Sequence, residues 1–122
     1  MDEINDSKYI LDLQEGWGDN GAPISLNVYQ SSIEFVLNYS GYILNIYKIA
    51  ISTPEIKPVR DGSIDLVWNT DLAYMAINIK LSTDGLLGTF FSFKHENKKI
   101  KEGELDLTIV ESDTAYWMTS LK

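Results

Sequence analysis

Residues 13–25 read LQEGWGDNGAPIS, and within them Gly16, Gly18 and Gly21 spell G-x-G-x-x-G. Glycines at that spacing let backbone N–H groups converge on an anion, and a helix opening just after them adds its positive end. Dinucleotide binding by this spelling needs a preceding strand and a parallel crossover. The residues that follow read as hairpins, which build no parallel crossover. Glu15 and Asp19 would also repel a phosphate. The expectation is therefore a structural corner made by Gly16, Trp17, Asp19 and Gly21. In it Trp17 plugs the core beneath the helix, Asp19 and Asn20 bond loop amides as Asx-turns, and Gly21 takes a positive φ.

His95 is the chain's one histidine, and it stands beside Glu96 among lysines. A nucleophilic triad needs a base held near a nucleophile by an orienting acid. Ser92 is near in sequence, but strand alternation does not assemble a triad. The chain has no cysteine, which removes thiolate chemistry, disulfides and cysteine metal sites. Asp61, Asp71 and Asp84 occupy turn positions, where aspartate serves the backbone. Asp65 alternates away from Ile64, Leu66 and Trp68 and should face solvent. No EF-hand spacing occurs. No catalytic residue, metal or cofactor is expected, and the chain reads as a non-enzymatic protein.

The formal net charge is −8 over 122 residues. Carboxylates load the first and last twenty residues, a surface that repels duplex nucleic acid and anionic membrane. One basic island, KHENKKIK over residues 94–101, interrupts it as a solvated hairpin tip. No apolar run approaches the ~18 residues of a membrane span, and the first residues, MDEINDSKY, are too acidic for a secretory signal. A cytoplasmic location is the expectation. The length suits a single domain over 1–122.

These residues need elements to place them. Residues 1–8 read as a loose or edge segment, and YILDL (9–13) as a short helix or strand. Pro23 and Ser25 then announce a helix over 26–48. At ~100° per residue, Asn27, Gln30, Ser31, Glu34, Asn38, Gly41, Asn45 and Lys48 share a polar arc of about 100°, and the apolar arc covers about 220°. One sheet needs only about 100° of that. Phe35, Tyr39, Tyr42 and Ile46, opposite Leu26, Leu37 and Leu44, form the surplus seam. The N-terminal segment could cover it through Tyr9, Ile10, Leu11 and Leu13, as could Trp117 and Met118. Otherwise it is an interface, most simply a two-fold dimer of helix against helix. Gly41 could instead end the helix early, leaving residues 42–51 as a strand.

Beyond the helix, Thr53-Pro54 and Lys57-Pro58 are extended dipeptides. Asp61-Gly62, residues 69–71 and Asp84-Gly85 are turns separating SIDLVW (63–68), LAYMAINIKL (72–81) and LLGTFFSFKH (86–95). Trp68 ends the inward alternation of the first. Leu105, Leu107 and Ile109 should point inward from a strand over 103–111, and residues 112–121 should form a helix capped by Ser112 or Asp113. The fold class is α+β: one long N-terminal helix on an antiparallel meander of about four strands.

GWGDNGAPIS, a helix, Pro-x-x-x-Pro and then DGSIDLVW resemble a set of small bacterial and phage-borne proteins with no established activity. Their pattern is roughly GWDGxGAxPIS, a helix, a proline-punctuated strand and DGxIxLEW. The likeness covers residues 13–68. Gly18-Asp19 replaces the pattern's Asp-Gly, and Val67 its frequent Glu. The missing catalytic groups, the acidity and the surplus seam indicate a small domain that binds another protein, itself or both. The resemblance adds mobile-element roles of the immunity, antitoxin or anti-defence kind. A small-molecule binder, with a pocket between helix and sheet lined by tyrosines and Trp68, is the alternative.

Overall fold

Ser25 starts the principal helix by leaving the helical region (φ −68°, ψ 152°) and accepting the Val28 N–H on its hydroxyl at 3.1 Å. This computed structural model describes residues 2–83, 85–95, 98–99 and 103–122. The elements are α1 (Asp2–Asp6), a 3-10 helix (Ser7–Asp12), α2 (Trp17–Asn20), α3 (Leu26–Tyr47), β1 (Glu55–Pro58), β2 (Ile64–Asn69), β3 (Ala73–Ser82), β4 (Gly85–His95), β5 (Lys98–Lys99), β6 (Gly103–Leu105) and α4 (Ser112–Met118).

The α+β class holds, with two corrections. The long helix is not N-terminal, because three short helical segments precede it. The sheet has six strands rather than about four, in the order β1-β2-β3-β4-β5 with β6 also on β4. Every pairing is antiparallel. The excess over four has two sources. The proline-punctuated stretch forms β1, a short edge strand that ends at Pro58, where a missing N–H does no harm. The returning strand is split between β5, opposite Lys94 and His95, and β6, opposite Gly88 to Phe90.

Helix α3 continues through Gly41 and stops where Lys48 turns left-handed (φ 60°, ψ 32°), so residues 42–51 are not a strand. It buries Val28, Tyr29, Ser32, Phe35, Val36, Tyr39 and Ile43. Against them the sheet presents Ile64, Leu66 and Trp68 from β2 and Ala73, Met75, Ile77 and Ile79 from β3. β2 thus keeps the alternation expected of it, and Ala73, Met75, Ile77 and Ile79 share one face of β3. Leu81 falls beyond the core and is exposed. Across β3 and β4, Ala76 pairs with Ser92 and Ile77 with Phe90, so Phe91 is a bulge residue with no partner opposite.

The termini close the core. The segment expected to be loose or an edge is, over its described residues 2–8, neither: Asp2–Asp6 is helical, and the buried Ser7 hydroxyl meets the Tyr29 hydroxyl at 2.9 Å. Ile10, Ala115, Met118 and Leu121 are fully buried. The expected strand over 103–111 ends at Leu105. Asp106 breaks it by accepting the Thr108 N–H at 2.8 Å. Leu107 then folds back over Gly88, where an added Cβ would lie 2.7 Å from its Cδ2, and Ile109 is exposed. Neither Ser112 nor Asp113 caps α4. Glu111 stands at that position, with its Oε1 accepting the Thr114 hydroxyl at 3.1 Å and its Oε2 the Asp106 N–H at 3.0 Å.

Candidate functional site

Four amides of the glycine loop are bonded within the chain. Gly16 N–H donates to Gly21 O, Trp17 N–H to Gln14 O, Gly21 N–H to Trp17 O and Ala22 N–H to Arg60 O, at 2.7 to 3.0 Å. Those four donors are engaged by carbonyls of the chain itself and make no anion cradle. Positive φ falls on Gly16 (86°), Gly18 (60°) and Asn20 (64°), whereas Gly21 is at −70°, a correction to its expected conformation. Gly21 is required for another reason: a Cβ there would coincide with the Trp17 carbonyl and indole. The indole is half-buried against the core and donates its Nε1–H to Ala22 O. Asp19 belongs to α2, and the Asx-turn expected of its side chain lies outside what the structure describes. Trp68 is 1% exposed and donates Nε1–H to Ser52 O at 2.8 Å.

The chemistry expected or excluded at His95 and Ser92 concerns side chains outside the described set, as do Asp84, Glu96 and Asn97. Among the described residues no three His, Cys, Asp or Glu side chains are placed to hold a metal ion. No helix of the described residues is long and apolar enough to cross a membrane.

One polar cluster escaped the sequence reading. The Asp61 carboxylate accepts the Ser63 N–H at 3.0 Å and the Ser63 hydroxyl. Asn78 Nδ2 donates to Ser63 Oγ and to Asp65 Oδ1, both at 2.8 Å. Asp65 is therefore tied to its neighbour strand and half-buried rather than simply solvated. The Asp61-Gly62-Ser63 turn was legible, but the Asn78 link depends on strand register, which the sequence does not state. The Ser63 hydroxyl, chiefly, holds the Asp61 carboxyl below its ordinary range. Burial opposes this, and the Ser63 N–H and Lys80 assist. Folding thus favours the ionised carboxylate. Its contribution is present above the ordinary carboxylate pKa near ~4 and is lost as pH falls through the lower folded value. Asp61→Asn is expected to flatten the acid limb of stability below about pH 4, measured as urea midpoint against pH. An acid limb identical to wild type would show that the Asp61–Ser63 bonds contribute nothing.

Of the two readings of the seam, cover within the chain or an interface, the structure favours the first. Phe35 is buried and Tyr39 is 2% exposed, their rings stacked at 4.4 Å. Phe35 also lies 6.3 Å from Trp68, and the Tyr39 hydroxyl accepts the Glu111 N–H at 2.9 Å. Tyr42 is half-buried, and only Ile46, at 53%, stands in solvent, near the helix end. The opposite leucines are the exposed ones: Leu26 at 54%, Leu37 at 46% and Leu44 at 54%. The apolar arc was read correctly, but its inner sector was misplaced. The sheet and termini take the aromatic sector and leave one rim of the arc uncovered. That rim, with the half-buried Ile33 beside it, is the candidate site. Its surroundings carry little charge, since Glu34 is the single charged residue of α3 and Lys48 follows at its end.

Comparison of the chain with family models, with curated proteins and with solved structures returns no match.

Proposed function

We propose that the protein is a non-enzymatic interaction domain that binds another protein through the exposed face of α3. The observation that carries this reading is the row Leu26, Leu37 and Leu44, each about half exposed, on a helix whose other side already closes the core. Aligned exposed leucines of this kind mark interaction surfaces more often than scattered ones do. Neutralising a partner, as immunity proteins and antitoxins do, is the role the sequence resemblance adds. The alternative pocket between helix and sheet is less favoured, because Trp68 and Tyr39 fill that space and both have their polar atoms bonded.

Leu37→Glu tests the reading. At a solvent-facing position the change is expected to move stability by no more than about 0.5 kcal/mol. The melting curve should therefore match wild type while retention of the binding partner, read by affinity capture and by light scattering, is lost. Equal retention by the two proteins would remove the α3 face as the site.

A further inference from the structure

Granting the α3 face a protein partner, we propose that this partner is a second copy of the chain, packed antiparallel about a two-fold axis at Gly41. Two acidic molecules repel each other over most of their surfaces. The outward face of α3 is an exception, because its charges are Glu34 and the adjoining Lys48, which are opposite in sign. They stand fourteen residues apart in sequence, about 21 Å along the helix, and Gly41 lies midway between them. A two-fold through that midpoint sets each Glu34 against the partner's Lys48. It also brings Leu37 to within one residue of the level of the partner's Leu44. A parallel pair would oppose Glu34 to itself and Lys48 to itself.

Gly41 fits the axis. A Cβ there would meet nothing within 4 Å, so the backbone is bare and a second helix can approach it. A mid-helix glycine costs about 1 kcal/mol relative to alanine, and no contact among the described residues calls for one here. Leu37, Gly41 and Leu44 share a sector of about 60°, with Glu34 at its rim, and Lys48 follows as the left-handed residue that ends the helix. Among the described residues the Lys48 ammonium bonds the exposed Asn45 carbonyl alone, at 2.9 Å, so it can turn to the partner at little cost. The helix overlap, about 21 Å by 10 Å, is smaller than the ~800 Å² per partner of a standard stable interface. The dimer is therefore concentration-dependent.

The absence of cysteine makes cross-linking a clean test. Gly41→Cys, at the axis, is expected to oxidise to a disulfide dimer at about 100 µM, in the weak-association range. Asn27→Cys, about 21 Å from the axis, should stay monomeric. In light scattering, Glu34→Lys should raise the dimer Kd about fivefold or more, since two symmetric pairs turn repulsive. Adding Lys48→Glu to it should restore the wild-type value, which keeps the test intact if a cysteine variant folds poorly. Equal cross-linking at both positions, or a double variant no better than the single, overturns the antiparallel pair. A chain that is monomeric throughout, while Leu37→Glu still loses some other captured protein, overturns the second copy and leaves the interaction reading standing. A dimer unaffected by Leu37→Glu overturns both.

Discussion

Tyr39→Glu is expected to leave the chain unfolded at 25 °C, whereas Leu37→Glu, two residues earlier on the same helix, leaves it folded. The Tyr39 ring is 2% exposed, stacked on Phe35 at 4.4 Å. Truncating a buried aromatic costs about 3–5 kcal/mol. A carboxylate in its place adds the cost of burying an unpaired charge. The site already disfavours negative charge: burial, above all, raises the Tyr39 phenol above its ordinary pKa, with Glu111 and Asp106 adding to the effect and the Glu111 N–H opposing it. Small domains have only about 5–15 kcal/mol in total. Tyr39→Phe keeps the ring and removes the hydroxyl that accepts the Glu111 N–H, for about 1–3 kcal/mol, and should remain folded. Far-UV circular dichroism and urea titration of the three variants decide the matter. A folded Tyr39→Glu would place that side chain in solvent and invert the helix. The same phenol sets an alkaline limit. Because its folded pKa is raised, its contribution is complete below the unfolded value near ~10 and is lost as pH rises through the folded one.

The contrast between Tyr39 and Leu37 also shows where sequence reading reached its limit. Periodicity located α3 to within one residue of its end, because Ser25 is a strong start signal and the polar arc is unbroken. Alternation located the inner face of β2, since Ile64, Leu66 and Trp68 leave no other choice. Periodicity does not say which part of a wide apolar arc meets the sheet. That follows from where the termini pack, and Ile10, Met118 and Leu121 pack against the core from outside the helix and sheet. The length of the last strand failed for a related reason. Leu105, Leu107 and Ile109 alternate as a strand should, yet the Asp106 carboxylate supplies a competing local turn after Leu105. The candidate face is visible in the sequence as three leucines in phase, on the side opposite the seam read as surplus.

Gly21→Ala is expected to cost about 2–3 kcal/mol, an overpacking penalty from a single methyl group. The φ of −70° at Gly21 suits alanine, so left-handed strain has no part in it. The penalty comes from the Trp17 indole and carbonyl, which occupy the place of the new Cβ. Trp17→Ala alone is expected to cost about 3 kcal/mol, through lost burial of the indole and of its bond to the Ala22 carbonyl. The double variant should be more stable than the sum of the two predicts, by about 1 kcal/mol or more, since removing the indole makes room for the methyl. Relief should be incomplete, because the Trp17 carbonyl is backbone and remains, held by the Gly21 N–H. Urea denaturation of all four proteins gives the coupling directly. Strict additivity would mean that the indole does not lie on Gly21. The glycine of the G-x-G-x-x-G spelling would then have lost its structural reason, and the loop would have to be reconsidered as a ligand site.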